Sequence, residues 1–251
     1  MKAYLGIACF SDDDKSEGCR KMGHPEVGCQ PIVPPTFTFV YYLFALQWPP
    51  SICDSYIRCR EGIPTDFTIH GLWPQNGRNR GVPPYNTNGN CTTLTVIDPY
   101  IAMRRVQRAR LEGPLTQVWP NLRNTSNIYL HQRFWRHEWR DHGMCSDYGD
   151  DPIRYFRAAI DLRNYLVSVL NFNGGVASKA IDISTNVQAQ VGKIPQIHCI
   201  RSRTTNNDLL GEIRFCYNKG DATPSDELFG GEMGESMEAI SNQMQLKELC
   251  K

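Results

Sequence analysis

Three things are scarce in this chain of 251 residues. It has no apolar run near the ~20 residues that a membrane-spanning helix needs, so a helical transporter or receptor is excluded. None of its ten cysteines forms a CxxC pair, which argues against a zinc knuckle or a thioredoxin-type site. Lysine is nearly missing from the middle of the chain. Residues 37–218 hold 20 basic side chains, and 18 of them are arginine. No internal repeat breaks the chain into a solenoid or array.

What is present is uneven. The formal net charge is +1, yet residues 37–218 set 14 acidic side chains against those 20 basic ones, a net +6. Arginine makes planar, bidentate contacts to phosphate, and a basic region suits a polyanion. On charge alone a solvated mixed surface explains the count equally well. Composition predicts three regions: an atypical extension over 1–36, a basic domain over 37–218 and an acidic, Met-rich tail over 219–251. A hydrophobic content of 41% is enough for one ordinary core.

Ten cysteines point to an oxidising compartment. Asn124-Thr-Ser126 is a glycosylation sequon, and Asn90-Cys-Thr92 also fits the pattern. Against secretion, Met1–Phe10 is only weakly apolar and Ser-Asp-Asp-Asp-Lys15 interrupts it short of a signal core. A truncated, misjoined or engineered start would reconcile the two.

Aromatic and β-branched residues from Phe37 to Trp48 predict a buried strand, and Phe67–Leu72 a second one, opening into a loop at Pro74. Residues 76–90 read as loop. Asp98-Pro99 opens a helix through about Leu111, with Gly113-Pro114 as its stop. Ile128–His142 predicts another, capped by Gly143. Asp151-Pro152 starts a third, through Leu170. Gln196–Arg201 and Glu212–Tyr217 predict late strands, and Ser236–Leu249 a short helix in the tail. Strands and helices do not alternate, so the expected class is α+β, an antiparallel sheet with packed helices.

The chemistry concentrates in two blocks. Phe67-Thr-Ile-His-Gly-Leu-Trp-Pro-Gln75 carries His70. Phe134-Trp-Arg-His-Glu-Trp-Arg-Asp-His-Gly-Met-Cys145 carries His137, Glu138, Arg140 and His142. On a helix Glu138 and His142 share a face. The two histidines are five apart, so this is not the HExxH zinc pattern, and no metal or other cofactor is expected. Two histidines brought together can serve as acid and base for one reaction, with an arginine nearby for an anionic substrate. A lone helical histidine is more often structural; the second block is what changes that reading.

Both blocks together resemble the ribonuclease T2 family, of the plant type. His70-Gly-Leu-Trp-Pro74 is similar to its first active-site motif, and His137-Glu-Trp139 with His142-Gly143 and Cys145 to its second. Gln47-Trp48-Pro49 is similar to its first strand. The resemblance runs from about Phe37 to Tyr217. It implies a disulfide-bonded α+β ribonuclease that cuts single-stranded RNA without a metal, through a 2′,3′-cyclic phosphate. It also implies His70 as general acid, His142 as general base, His137 on the phosphate and Glu138 supporting charge development. Trp73 would stack a base, with Gln47 and Arg140 lining the site. Trp48, Trp139, His24, His131 and His198 are expected to be core or incidental.

The resemblance further implies Cys53–Cys59 and Cys91–Cys145 disulfides. Cys199 and Cys216 match two later family positions; with Cys250 the one cysteine left downstream, Cys199–Cys250 is the expected third bond, with Cys216 unpaired or paired elsewhere. One residue departs from the pattern: Asp141 stands where the family usually has lysine. It is i+4 from His137 and can pair with it. Secretion is implied, as is a monomer. Two biological roles stay open. One is a pistil self-incompatibility ribonuclease, with F-box proteins as partners, which the basic region and Asn124 favour. The other is a nutritional or defence ribonuclease. A weak or inactive relative kept for storage, defence or RNA binding is the competing class, which Asp141 favours and the intact histidines oppose.

Overall fold

The computed structural model describes residues 39–60, 62–76, 80–87, 91–170, 172 and 180–218. The extension with Cys9, Cys19, Cys29 and His24, the tail with Cys250 and the helix expected over 236–249, and Phe37 and Asn90 lie outside the described residues.

The elements run β1 (Tyr41–Gln47), α1 (Pro49–Ser55), β2 (Thr68–Gln75), α2 (Pro99–Arg108), α3 (Glu112–Val118), α4 (Ile128–Asp141), a 3-10 turn (Gly143–Cys145), α5 (Pro152–Val169), α6 (Ala180–Val191), β3 (Gln196–Arg201) and β4 (Asp208–Asn218). The strands form one antiparallel sheet in the order β2-β1-β4-β3. This is the α+β class that the sequence predicts.

Alternation divides the sheet into two faces. Tyr42, Phe44 and Leu46 of β1, Ile69 and Leu72 of β2, and Ile213, Phe215 and Tyr217 of β4 are fully buried. They pack in the core with Trp119, Trp135, Trp139, Tyr155 and Phe156 from the helical layer. Truncating such an aromatic to alanine costs about 3–5 kcal/mol. Three of the helical-layer rings donate to a backbone carbonyl: Trp135 to Trp119, Trp139 to Ile97 and Tyr155 to Leu72. The opposite face carries Gln47, Thr68, His198, Glu212 and Arg214.

A β-bulge prepares the site. Ala45 pairs with Gly71, but Leu46 pairs with Ile69, so His70 is the extra residue of β2. Residues three apart in a regular strand point to opposite sides. The bulge cancels that offset and brings His70 and Trp73 to one face. Gly71 is required beneath them, because a Cβ there would lie 1.9 Å from Nε1 of Trp73.

Several elements differ from the sequence reading. Helix α2 ends at Arg108, and the chain turns at Arg110, whose φ of 56° is left-handed. Gly113-Pro114 does not stop a helix: both sit in the first turn of α3, where proline's missing N–H is not needed. Strand β2 continues past Leu72 to Gln75. Helices α1, α3 and α6 are short or weakly amphipathic and had no prediction. Gly143 is not a left-handed cap; His142 is the C-cap residue. The glycine is needed because a Cβ would come within 2.3 Å of the Trp139 ring.

Cys53 is bonded to Cys59, and Cys91 to Cys145. The second bond ties the segment just after His142 to the Cys91 loop. The Cys199–Cys250 expectation is corrected: Cys199 is a free, exposed thiol on edge strand β3. The buried Cys216 is the bonded one, to a cysteine outside the described residues.

Candidate active site

Two walls meet at the site. The sheet wall carries His70 and Trp73 on β2, Glu212 and Arg214 on β4, and His198 on β3. Glu212 pairs with Gln47 on one side and His198 on the other. Nδ1 of His70 lies 2.5 Å from Oε1 of Glu212, and Nε of Arg214 lies 2.6 Å from Oε2. Glu212 is 4% exposed, while the His70 side chain is 40% exposed. The carboxylate is therefore behind the imidazole, and the imidazole opens to solvent. Trp119 Nε1 donates to the His70 carbonyl at 3.0 Å, which fixes the bulge from the core side.

The helix wall is α4. Asn127 caps it, its side chain accepting from the N–H groups of Tyr129 and Leu130. His131, Trp135, Glu138 and Trp139 form the buried stripe, the spacing of one helix face. Glu138 is thus aimed inward, and its Oε2 accepts from Trp73 Nε1 at 3.1 Å. That bond joins the two walls. His142 caps the helix, and its ring centroid is 5.7 Å from that of Trp73; that of His70 is 4.9 Å from it. The Trp73 indole therefore contacts both histidines.

On the outer face of α4, His137, Arg140 and Asp141 form a compact exposed group. Arg140 donates to both carboxylate oxygens of Asp141, at 2.5 and 3.0 Å. Nδ1 of His137 lies 2.9 Å from Asp141 Oδ2 and 2.9 Å from Nη2 of Arg140. Protonated, that nitrogen donates to the carboxylate; deprotonated, it accepts from the guanidinium. A cleft of about 880 Å³ opens beside this group, lined by Tyr100, Arg123, Arg133, Phe134, Arg136 and Met144 among others. Arg136 stacks on Tyr100 at 4.4 Å. His137 and Arg140 also line the cleft; His70, Trp73, Glu138 and His142 do not.

The environment treats the two wall histidines in opposite ways. Burial alone would lower His70, but the hydrogen bond and charge of Glu212, helped by Glu138, lift it above the ordinary histidine value against Arg214. Burial pulls His142 down to about 4; the nearby Asp141 charge only partly offsets it, and His137 and His70 add to the fall. Burial drives Glu138 up to about 7 despite His70 and the Trp73 bond. Burial also opposes ionisation of Glu212, yet His70 and Arg214 hold it down at about 2. For Asp141, burial is outweighed by the Arg140 hydrogen bond and the charges of His137, Arg140 and His142, so its carboxyl is below the usual range.

Of the predicted site residues, His70, Trp73, Glu138 and His142 converge. His137 and Arg140 stand on the adjoining outer face. Gln47 is 6% exposed and its amide donates to the Ile69 carbonyl at 3.3 Å; it braces the backbone entering the bulge rather than facing the open site. His131 is structural: it is buried, accepts from the Asn121 N–H at Nδ1 and bonds the Thr125 carbonyl. Trp139 is core, and Trp48 packs edge-on against Phe67 and Phe172. His198 is not incidental in place, since it faces Glu212 and its charge environment includes His70. Asn124 lies between two turns that precede α4. Glu212 and Arg214 had no prediction as site residues. Their signal was a charged pair at alternate positions of an otherwise apolar strand. Among the described residues no three His, Cys, Asp or Glu side chains cluster to hold a metal, and no helix is long and apolar enough to cross a membrane.

The chain is similar to known proteins. A family model, the ribonuclease T2 family, matches residues 39–226. Extracellular ribonuclease LE of Solanum lycopersicum is 32% identical, covering 80% of this chain and 86% of the relative. Ribonuclease S-7 of Nicotiana alata is 30% identical, covering 72% and 78%. Among solved structures, RNase NT in complex with 5′-AMP superposes with a TM-score of 0.55 at 30% identity, covering 74% of this chain and 88% of that one.

Proposed function

The chain belongs to the ribonuclease T2 family and is an endoribonuclease, and from that premise we propose how its own residues divide the work. His142, neutral because burial depresses it to about 4, takes the proton of a ribose 2′-OH. The freed oxygen attacks the adjacent phosphorus. His70, lifted above the ordinary value, gives a proton to the departing 5′-oxygen. The products are a 2′,3′-cyclic phosphate and a 5′-hydroxyl; water then opens the ring to a 3′-phosphate with the proton roles reversed. DNA lacks the nucleophile and is not cut.

The observation that carries this assignment is the opposite displacement of two imidazoles packed against one indole. Groups whose environments push their proton affinities apart mark the acid and the base. Glu138, neutral up to about pH 7, adds no repulsion and can donate a hydrogen bond to a phosphoryl oxygen. His137 and Arg140 hold the phosphate from the helix side. Trp73 offers a base its exposed part. Arg123, Arg133 and Arg136 along the cleft suit the backbone of a longer single strand, where arginine matches phosphate geometry.

The test is an RNA zymogram, with products resolved over time. Cyclic phosphate appears first, and activity persists in EDTA. Loss of activity on chelation, restored by zinc or magnesium, would overturn the proton-transfer scheme.

The catalytic domain in this reading is 37–218, with 1–36 and 219–251 as accessory segments. Two disulfides and the Asn124 sequon support a secreted, glycosylated monomer. The +6 charge of 37–218 and that sequon favour a self-incompatibility role, with F-box proteins as partners; pistil-restricted expression tests it. Asp141 beside the phosphate group supports a slowed enzyme rather than an inactive one, because Arg140 already neutralises it.

A further inference from the structure

We propose that Glu212 is a positioning residue for the leaving-group step, holding His70 with Nδ1 protonated so that Nε2 faces the departing 5′-oxygen. This rests on the assignment of His70 as the acid and goes beyond it, to what makes His70 an acid.

An imidazole presents two nitrogens, and the partner of one sets the state of the other. Glu212 occupies Nδ1 at 2.5 Å. Its second oxygen is held by Arg214 at 2.6 Å, so the carboxylate cannot swing away. The pair reaches His70 across β1, where the intervening residue is Ala45, which pairs with both Gly71 and Arg214. A larger side chain there would stand between them. Two bulges set the level: His70 is extra on β2, and on β4 the residue beside Glu212, Gly211, is extra against β3. A Cβ on Gly211 would come within 2.7 Å of Ile200.

A buried carboxylate behind a histidine does two jobs. It fixes ring orientation and tautomer, as second-layer carboxylates do for histidines generally, and it stabilises the imidazolium. The charged and titratable groups facing His70 are Glu212 and Arg214 from β4, Glu138 from α4, His142 from its C-cap and His198 from β3. Glu138 is neutral over much of the range, His142 is a neutral neighbour above about pH 4, and Arg214 is repulsive but spent on Glu212. Glu212 is therefore the group that sets the cation.

The decisive experiment uses two substrates and two variants of the full chain. Glu212→Gln keeps the shape and loses the charge. On a dinucleotide, whose 5′-alkoxide needs a proton, it is expected to lower kcat at least about tenfold, part of the 10²–10⁴ that a general acid contributes. The alkaline limb of its pH profile shifts to lower pH. On a uridine 3′-aryl phosphate, whose nitrophenolate leaves without help, the loss shrinks to about twofold or less. His70→Ala run in parallel shows the same substrate contrast. If Glu212→Gln loses equally on both substrates, or the alkaline limb stays in place, the residue is structural and the proposal fails. If His70→Ala shows no contrast, the acid assignment itself is wrong. Far-ultraviolet circular dichroism and melting of each variant separate misfolding from both. Should Glu212→Gln not fold, Glu212→Asp tests the same link: it keeps the charge but shortens the reach to Nδ1, so kcat falls on the dinucleotide and is spared on the aryl phosphate, and equal loss on both overturns the proposal.

Discussion

The two walls of the site use the same device to different ends. Each has a histidine against a carboxylate that is also held by an arginine: His70, Glu212 and Arg214 on the sheet, His137, Asp141 and Arg140 on the helix. The separations are similar, 2.5 and 2.9 Å. What differs is water. The carboxylates are 5% and 16% exposed, and the imidazoles 40% and 51%. Exposed pairs are screened and contribute about 0–1 kcal/mol. Buried ones shift proton affinities strongly. The sheet pair is thus built for proton transfer and the pair on the outer face of α4 for reversible contact with phosphate.

The largest effects should come from the proton carriers. His70→Ala and His142→Ala are each expected to lower kcat by at least about 10²-fold with little change in melting. His137→Ala is expected to act mainly on KM. Steady-state kinetics on a dinucleotide checks all three, and a kcat effect of His137→Ala equal to that of His70→Ala would erase the difference between the two pairs.

Next is the frame beneath them. Cys91–Cys145 spans 54 residues and anchors the turn after His142; Cys53–Cys59 spans six. The loop-entropy relation gives roughly 4 and 2 kcal/mol for their removal. Urea unfolding of the paired Cys→Ala variants should rank them in that order. The reverse order would mean that α1, already tied by Arg203 to the carbonyls of Cys53, Asp54 and Ile57, carries more of the fold than the active-site turn.

Trp73→Phe removes the hydrogen bond that links the walls and keeps most of the ring. Leaving a buried acceptor unpaired costs about 1–3 kcal/mol. The expected outcome is roughly a tenfold lower kcat, with the Glu138 carboxyl still more reluctant to ionise.

How much of this was legible beforehand depends on whether function is local in the chain. His70, His137, Glu138 and His142 fall in two short blocks, and α4 has a clear apolar stripe, so the blocks, the helix and the α+β class could all be read. Glu212 could not. It lies 142 positions from His70, and a charged residue in an alternating strand ordinarily reads as a solvated face. Only the sheet order, with β1 central between β2 and β4, turns that position toward His70. The bulge escaped for the same reason: register is a property of strand pairs. Gly143 was expected as a cap because glycine often ends helices, but its cause is a tryptophan ring one turn back. Gly113-Pro114 read as a stop because proline starts helices as readily as it ends them.

The smallest effect is the one at the family-atypical residue. Asp141 is already neutralised by Arg140 and lies on the exposed wall. Asp141→Lys is expected to raise kcat/KM only several-fold, and Arg140→Ala to lower it by a similar factor, on the scale of about 1 kcal/mol. A change of 10²-fold in either would mean that the outer face of α4 takes part in proton transfer after all.

The central claim is that burial and Glu212 split two like imidazoles into a base and an acid. The most direct measurement is kcat/KM on a dinucleotide from about pH 3 to about pH 9, which reports the free enzyme's essential groups. The account predicts a bell whose acid limb lies near 4, as His142 loses its proton, and whose alkaline limb lies above the ordinary histidine value, as His70 loses its own. Two limbs close together around about 6.5, or a single limb, would contradict it.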